Sequence, residues 1–398
     1  MIAARTLLPA ALLLAAQAGP PPPVPPPEAR EKAIAGLHAR AAFAAPGSSQ
    51  AARVAEELER IGAAYLAEGE IGRASELLSE AYALDDSNGL VLAELTLCHL
   101  RVADFDAARF YLRLAEERVN RAPPEIYATL GDAYFALHRL ADAVSAWEEF
   151  LRFGGTDPVV MARLARAREE LALSRGQRQL ALERFAIFAD AGVPEETLER
   201  AGSDLERLAD RQAELLGRRL SGRQVVVLYA GHAYFALTSV PDWSSGLYDG
   251  KIRVSVEPGA PAEALAAVLS HELAHALLRQ ACGDRAPAWF HEGLSQWCEG
   301  RRLPVSEVRA AVGPTPAVSL ASLDRTFARR LSRAAARASY AQALSLVEYL
   351  IATRGAGTVA CVLDRVGEGG LSFADALRAE SGLSESELFA GWQRWSGV

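Results

Sequence analysis

The chain has 398 residues, of which 50% are hydrophobic and 23% are charged. This balance excludes a wholly disordered or collagen-like protein, and the length favours two or three domains. Acidic residues outnumber basic ones by 50 to 42, which gives a net charge of −8. A protein built mainly to bind nucleic acid normally has the opposite excess, so we expect a globular protein with no nucleic-acid partner.

The first residues have the pattern of a secretory signal peptide. Arg5 precedes an apolar run from Leu7 to Ala16, and small residues flank Gln17 as at a cleavage site. The run is shorter than the roughly 20 apolar residues that a transmembrane helix needs. We therefore predict a signal peptide over residues 1–18 and an exported protein, periplasmic or secreted, with no transmembrane span after signal removal. Residues 19–50, rich in Pro and Ala, are predicted to be a linker.

The four cysteines contain no Cys-x-x-Cys pair, which excludes a cysteine zinc ribbon and a thioredoxin motif. An oxidising compartment permits disulfides. Cys282 and Cys298 both lie near the motif described below, but on two antiparallel helices they would lie at different ends. The sequence leaves their pairing open.

Residues 51–157 contain three helical units that resemble tetratricopeptide repeats. The first two units are 34 residues apart and the third begins one residue late. The matching positions are Leu58, Gly62, Tyr65, Ala74 and Leu78, then Leu92, Leu95, Ala108 and Leu112, then Tyr127, Gly131, Tyr134, Ala143 and Trp147. Each unit leaves an apolar face that only a neighbour covers, so we expect an α-solenoid. With Pro158–Gly176 as a capping helix, the repeat domain is predicted over 51–176; a generic helical bundle is the alternative.

Residues 177–398 begin with strands and continue with helices, which predicts an α+β domain. Short β-branched and aromatic runs indicate strands at Glu183–Asp190 and Arg223–Ala230, with a helix over Pro194–Leu220 between them. Lys251–Val256 alternates polar and apolar residues, as a half-exposed strand does. An apolar-periodic helix over Pro261–Gln280 follows.

That last helix contains the motif His-Glu-x-x-His at His271, Glu272 and His275. Positions four apart share one helix face, so the two imidazoles can bind one metal ion. Glu272 projects beside them, where it can take a proton from water as a general base. The alternative is a pair of buried histidines with other partners, but such polar residues are costly in a helix core.

Catalytic zinc normally has three protein ligands and one position for water. Glu292 lies 17 residues after His275, which is enough chain for a turn and a second helix that returns past the metal. Glu292 would complete a two-histidine, one-carboxylate set, and His291 would complete a three-histidine set. Adjacent helical residues point about 100° apart, so only one of the two can face the zinc.

Residues from about Glu183 onwards resemble the peptidase MA-like domain of the gluzincin metallopeptidases. The resemblance is carried by the segments Ser270–Leu278, Pro287–Leu294 and Ser339–Val347, with support from Trp243–Ile252. It implies an α-solenoid followed by a zincin-like α+β metallopeptidase domain over 177–398. It also implies Zn²⁺ bound by His271, His275 and Glu292, with Glu272 as the general base.

The resemblance further implies a Tyr or His that stabilises the oxyanion, for which Tyr340 is the candidate. Related enzymes often carry an acidic residue four positions after the ligand Glu, to orient a zinc histidine. This chain has Gln296 there, so that orientation must come from elsewhere. Lys251–Val256 is a candidate edge strand for pairing with an extended peptide substrate.

The function predicted is that of an exported zinc metallopeptidase whose repeats recruit a protein partner or substrate. A non-catalytic repeat scaffold with a structural or degenerate zinc site is one alternative. A zinc amidase that acts on cell-wall peptide is another, since a fold alone does not separate it from a peptidase.

Overall fold

A computed structural model of the chain describes residues 25–398, except 26, 46, 69, 103, 119–125, 221, 232–233, 236, 238–244, 284, 313–316, 328–332 and 368–369. The predicted signal peptide lies outside these residues. The structure divides into two compact units, Met1–Asp86 and Ser87–Val398, which are described in turn. The predicted domain boundary after residue 176 stays a prediction.

The described residues of the first unit form three helices, α1 (Pro27–Ala41), α2 (Ser49–Glu68) and α3 (Ile71–Leu84). Helices α2 and α3 form a hairpin that is closely packed at Gly62, where a Cβ would lie 2.9 Å from Leu78 Cγ. Helix α1 falls within the segment predicted as a linker. It is helical and packed because Ile34 and Leu37 recur at helical spacing and are buried, while the Arg30 guanidinium donates to Glu68 at 2.8 Å.

The second unit begins with two more hairpins and a single helix. They are α4 (Gly89–Arg101) with α5 (Phe105–Arg118), α6 (Ile126–Ala136) with α7 (Leu140–Arg152), and α8 (Pro158–Leu173). Gly131 lets α6 pack against Trp147 of α7, because any side chain there would overlap the indole ring. Asp157 caps α8 by accepting from the Val159 amide. These hairpins confirm the predicted repeats.

A five-stranded sheet follows. Its strands are β1 (Arg178–Ala181), β2 (Phe185–Ala189), β3 (Gln224–Ala230), β4 (Gly246–Tyr248) and β5 (Ile252–Val256), with α9 (Glu195–Leu216) between β2 and β3. The order is β1-β2-β3-β5-β4, with β2, β3 and β5 parallel and the outer two strands antiparallel to their neighbours.

The prediction that Lys251–Val256 is an edge strand is wrong. β5 pairs with β3 on one side and with β4 on the other, so β4 is the edge of the described sheet. The polar residues in Lys251–Val256 suggested a strand with one face in solvent. Lys251 and Arg253 are instead buried against other charged groups.

After the sheet, the described residues form eight helices: α10 (Ala262–Cys282), α11 (Ala288–Cys298), α12 (Val305–Val312), α13 (Leu320–Phe327), α14 (Arg333–Arg354), α15 (Gly357–Gly367), α16 (Phe373–Ser381) and α17 (Glu385–Ser396). One hydrophobic core joins them to the sheet through residues such as Val226, Leu228 and Leu273. Helix α11 approaches α14 very closely at Gly293, where a Cβ would overlap the backbone of Ala343. The predicted fold class, an α-solenoid followed by an α+β domain, is confirmed.

All four cysteines are unpaired, so no bridge joins Cys282 to Cys298. In the described part of the chain, no helix taken singly has both the length and the hydropathy needed to cross a membrane. The adjoining helices α14 and α15 meet those criteria only together, as a pair bent by 107°.

Candidate metal centre

Helix α10 brings the two histidines of the motif together. The Nε2 atoms of His271 and His275 lie 3.1 Å apart, one helical turn from each other. Both rings are half-buried. Since each nitrogen can direct a lone pair at the space between them, a cation placed there would be bound by both.

Helix α11 supplies the carboxylate. Glu292 Oε2 lies 3.4 Å from Nε2 of His271 and 3.7 Å from Nε2 of His275. The ligand atoms of these three residues all lie within 4.8 Å of one another. Glu292 Oε2 is buried and has no hydrogen-bond partner, although a buried carboxylate oxygen normally has one.

This arrangement fits a zinc ion. Ligands at about 2.0–2.2 Å in a tetrahedral site lie roughly 3.3 Å from each other, and the three separations observed here are 3.1, 3.4 and 3.7 Å. A cation would also give the orphaned oxygen of Glu292 the partner that it lacks. The donor types, two imidazoles and one carboxylate, are those of catalytic zinc sites.

The charges of the site also favour a cation. Burial lowers the pKa of His271, but the nearby carboxylates of Glu292 and Glu299 outweigh burial, and the pKa is raised well above its usual value. Burial raises the pKa of Glu292, yet the neighbouring His275 and His271 lower it overall. The centre thus places an anionic carboxylate beside two imidazole nitrogens, an arrangement that stabilises a bound cation.

His291, the rival third ligand, is not in this cluster. Its ring stacks on that of His275 with the centroids 6.1 Å apart. Burial, followed by the charge of His275, lowers its pKa to about 3, so the ring is neutral. Of the two adjacent candidates, the structure directs Glu292 at the histidine nitrogens.

Glu272 lies beside the cluster and not in it. Its side chain is buried, and desolvation raises the pKa of the carboxyl although His271 and His275 oppose that shift. Gly246 of strand β4 lies directly against it, since a Cβ on Gly246 would overlap Glu272 Oε1. A carboxylate with a raised pKa next to a metal site is suited to accept a proton.

Tyr340 of α14 reaches the same site. Burial raises the pKa of its hydroxyl, and the charges of Glu292 and Glu272, with a hydrogen bond to Glu292, act in the same direction. Its ring packs edge-on against Phe327, with the centroids 5.2 Å apart. The hydroxyl therefore stays protonated and keeps the hydrogen that it donates.

Glu299, just after α11, is a site residue that the sequence analysis missed. Its Oε1 atom is in hydrogen-bonding contact with Nδ1 of His271, so His271 has a carboxylate at each ring nitrogen. Gln296, which holds the position expected for an acidic residue, instead donates to the backbone oxygens of Glu292 at 3.1 Å and Tyr340 at 3.0 Å. It joins α11 to α14.

A buried network holds the end of α11 next to His271. The Ser270 hydroxyl donates to the Cys298 carbonyl at 3.0 Å. Gln212 of α9 donates to Ser270, to its backbone oxygen at 2.7 Å and to its hydroxyl at 2.9 Å. A glutamine on the apolar face of α9 was the only signal in the sequence that could have indicated this network.

Helical hairpins followed by an α+β domain with a His, His and Glu cluster define the class of a repeat protein with a zincin-like domain. Residues 235–397 match the sequence model of the Peptidase MA superfamily. The match includes the His-Glu-x-x-His helix, Glu292 and Tyr340, and begins after β3. No curated protein matches the chain.

Two similar solved structures contain tetratricopeptide repeats. The first tetratricopeptide-repeat domain of Spaghetti (RPAP3), bound to the HSP90 peptide SRMEEVD, is 23% identical over 30% of this chain and 95% of its own, with a TM-score of 0.27. The TPR2AB-domain:pHSP90 complex of yeast Sti1 is 14% identical over 86% of this chain and 99% of its own, with a TM-score of 0.26.

Proposed function

We propose that the protein is a zinc-dependent metallopeptidase of the gluzincin type. The observation that carries this proposal is the convergence of Nε2 of His271, Nε2 of His275 and Oε2 of Glu292, with Glu272 beside them. A zinc ion held by these atoms would polarise a water molecule and a peptide carbonyl. A purely structural site would not need a buried carboxylate next to its ligands.

Glu272 acts as the general base in this proposal. Its raised pKa places the carboxyl closer to the range in which proton transfer from water and to a leaving amine are both efficient. Its buried position excludes bulk water from the proton path. Glu272 takes the proton as the water oxygen attacks the peptide carbonyl, and then passes it to the departing amine.

Tyr340 is proposed as the donor to the oxyanion. Its hydroxyl lies next to Glu292 and keeps its proton because burial and two nearby carboxylates raise its pKa. A fixed hydroxyl in a site that excludes water stabilises negative charge as it develops on the carbonyl oxygen.

The substrate proposed is a peptide in extended form. Strand β4 is the edge of the described sheet and lies against Glu272 at Gly246, so a peptide that pairs with β4 would pass next to the metal centre. The helical repeats are proposed to recruit a protein partner or the substrate itself. We also propose that the protein is exported, on the basis of the signal-peptide pattern in residues 1–18.

The decisive test is the substitution Glu272→Gln in the purified full chain. We expect zinc content to be unchanged and hydrolysis of a quenched fluorescent peptide library to fall about 100-fold to 10,000-fold, because only the base is lost. Glu263→Gln is the matched control, since Glu263 is an exposed residue of the same helix. Hydrolysis that survives in the Glu272 variant would reject Glu272 as the general base, whereas zinc-loaded protein that cleaves no peptide would favour the scaffold alternative.

A further inference from the structure

The side of the sheet that faces away from α10 contains buried charged residues. Arg253 of β5, Lys251 just before it and Glu170 of α8 are each no more than 1% exposed. Because side chains alternate along a strand, Lys251 and Arg253 lie on one face of β5, while Ile252 and Val254 belong to the core on the other face. These charges lie outside the metal centre and take no part in the proposed reaction.

Glu170 is the central anion of this group. Its Oε1 atom accepts from Nη1 of Arg253 at 2.8 Å and from the Tyr229 hydroxyl at 3.3 Å, and lies 3.8 Å from Nζ of Lys251. Burial raises the pKa of Glu170, but Lys251 and Arg253 lower it overall, to about 2, so the group is ionised. The last helix of the repeat region therefore places a negative charge against the middle of the sheet.

Helix α8 also reaches the turn between β4 and β5. Arg166 Nη2 donates to Asp249 Oδ2 at 2.8 Å, and Nε of Arg253 is 3.0 Å from both oxygens of Asp249. The Asp249 amide donates to the Lys251 carbonyl at 3.2 Å and closes the turn. Two residues of α8 thus hold the β4–β5 turn. Glu170 acts through Arg253, and Arg166 contacts Asp249 directly.

The opposite face of the β4–β5 hairpin lies against α10, the helix that contains Glu272. In the β4–β5 register, Leu247 is opposite Arg253 and Gly246 is opposite Val254. Gly246 packs on Glu272 and on Val268, where a Cβ would lie 2.8 Å from Val268 Cγ1. Gly246 is in close contact with Glu272, with no free volume between them. A shift of the β4–β5 turn would therefore change the position of β4 relative to the Glu272 carboxyl.

We propose that Glu170 is a positioning residue of the peptidase site: with Arg253 and Asp249 it fixes the β4–β5 turn, and so holds the substrate-binding edge strand in register beside Glu272. The catalytic consequence rests on the proposed function, but the positioning of β4 does not. A buried ion pair generally adds little stability relative to apolar packing, whereas it does select one arrangement of the groups around it. The metal ligands lie on the other side of the sheet, so zinc binding is not affected.

The test is Glu170→Gln in the full chain, with two readouts. Amide hydrogen exchange of Gly246–Tyr248 is expected to increase, while exchange in β3 stays as in the unmodified chain. The KM of a cleaved peptide is expected to rise about 3- to 30-fold, the range of residue coupling between distant sites, with a smaller change in kcat and unchanged zinc content. Glu169→Gln, which removes the neighbouring exposed carboxylate, is the matched control.

Arg166→Ala is the second variant. The Arg166 side chain is 38% exposed, so its loss leaves the buried groups paired and the fold intact. We expect exchange to rise in Gly246–Tyr248 and KM to rise as well, both less than with Glu170→Gln. Unchanged exchange of β4 in both variants, or an equal rise in β3, would overturn the proposal. Faster exchange of β4 in a chain that cleaves no peptide would retain the positioning role and reject the proposed peptidase.

Discussion

His271 Nδ1 is in hydrogen-bonding contact with Oε1 of Glu299, while Nε2 of the same ring lies 3.4 Å from Oε2 of Glu292. A carboxylate accepts hydrogen bonds, so Glu299 holds a hydrogen on Nδ1 and leaves Nε2 as the ring nitrogen that can bind a metal. Glu299 follows the end of α11, seven residues after Glu292. It therefore supplies the orientation that Gln296 does not.

The role of Glu299 predicts weaker zinc binding when its charge is removed. In Glu299→Gln we expect the zinc affinity, measured by competition with a chromogenic chelator, to fall about 10-fold to 100-fold. Glu307→Gln, an exposed acid on α12, is the control and should bind zinc as the unmodified chain does. Equal zinc affinities in the two variants would show that Glu299 does not orient His271.

The ligand set can be separated from its neighbour by metal analysis. Glu292→Gln is expected to reduce bound zinc well below one equivalent, because Glu292 Oε2 is the atom directed at both histidines. His291→Ala is expected to retain zinc, since the His291 ring stacks beside His275 and is not in the cluster. Mass spectrometry under native conditions measures both. Loss of zinc from the His291 variant would point to a three-histidine set.

A further prediction concerns pH and Lys251, one of the two lysines of the chain. Burial lowers its pKa to about 7, partly offset by Glu170. Between pH 7 and 10.5 the folded lysine has therefore released a proton that the unfolded chain still binds, so the free energy of unfolding rises with pH in this window. The rise is on the order of 4 kcal/mol, because each unit of pKa difference corresponds to about 1.4 kcal/mol.

The other charged and titratable groups around Lys251 are His138, Glu170, Arg253, Asp249 and Arg166. Nζ of Lys251 is 3.4 Å from Nδ1 of His138, whose pKa burial lowers to about 3, so His138 is neutral throughout this window. Urea unfolding from pH 6 to 10 should show that Lys251→Met removes most of the rise, while Lys32→Met, at an exposed position, retains it. If the free energy of unfolding varied with pH in the same way in the unmodified chain and in both variants, the lowered pKa of Lys251 would be contradicted.

The parts of the site that lie close together in sequence were predictable, and those that meet only through packing were not. His271, Glu272 and His275 follow from helical periodicity alone. One turn between two helices allowed either Glu292 or His291 as the third ligand, and the family resemblance favoured Glu292. Glu299 was not predictable because its contact with His271 depends on the angle at which α10 crosses α11, and no local pattern encodes that angle.

The fold shows the same limit. Repeat positions such as Gly62 and Gly131 were recognisable, because close helix pairs require small residues at fixed spacing. The edge of the sheet was assigned to the wrong strand. Alternation in β5 was interpreted as one face in solvent, whereas Arg253 is buried by Glu170, which lies 83 residues away in the chain. Partners at that distance cannot be found from periodicity.

Gly246→Ala tests how closely β4 must approach Glu272 of helix α10. A Cβ at Gly246 would overlap Glu272 Oε1, and it would lie 2.8 Å from Val268 Cγ1, so either β4 or the carboxylate must move. We expect peptide hydrolysis to fall at least about 10-fold with zinc content unchanged, since a displacement of about 1 Å in a catalytic group has a large effect on rate. Gly72→Ala is the control, because a Cβ at Gly72 meets nothing within 4 Å in helix α3, and there activity should be retained with equal or higher stability. Full activity in the Gly246 variant would mean that the approach of β4 to Glu272 is not needed for hydrolysis, and that the substrate passes the metal centre by another route.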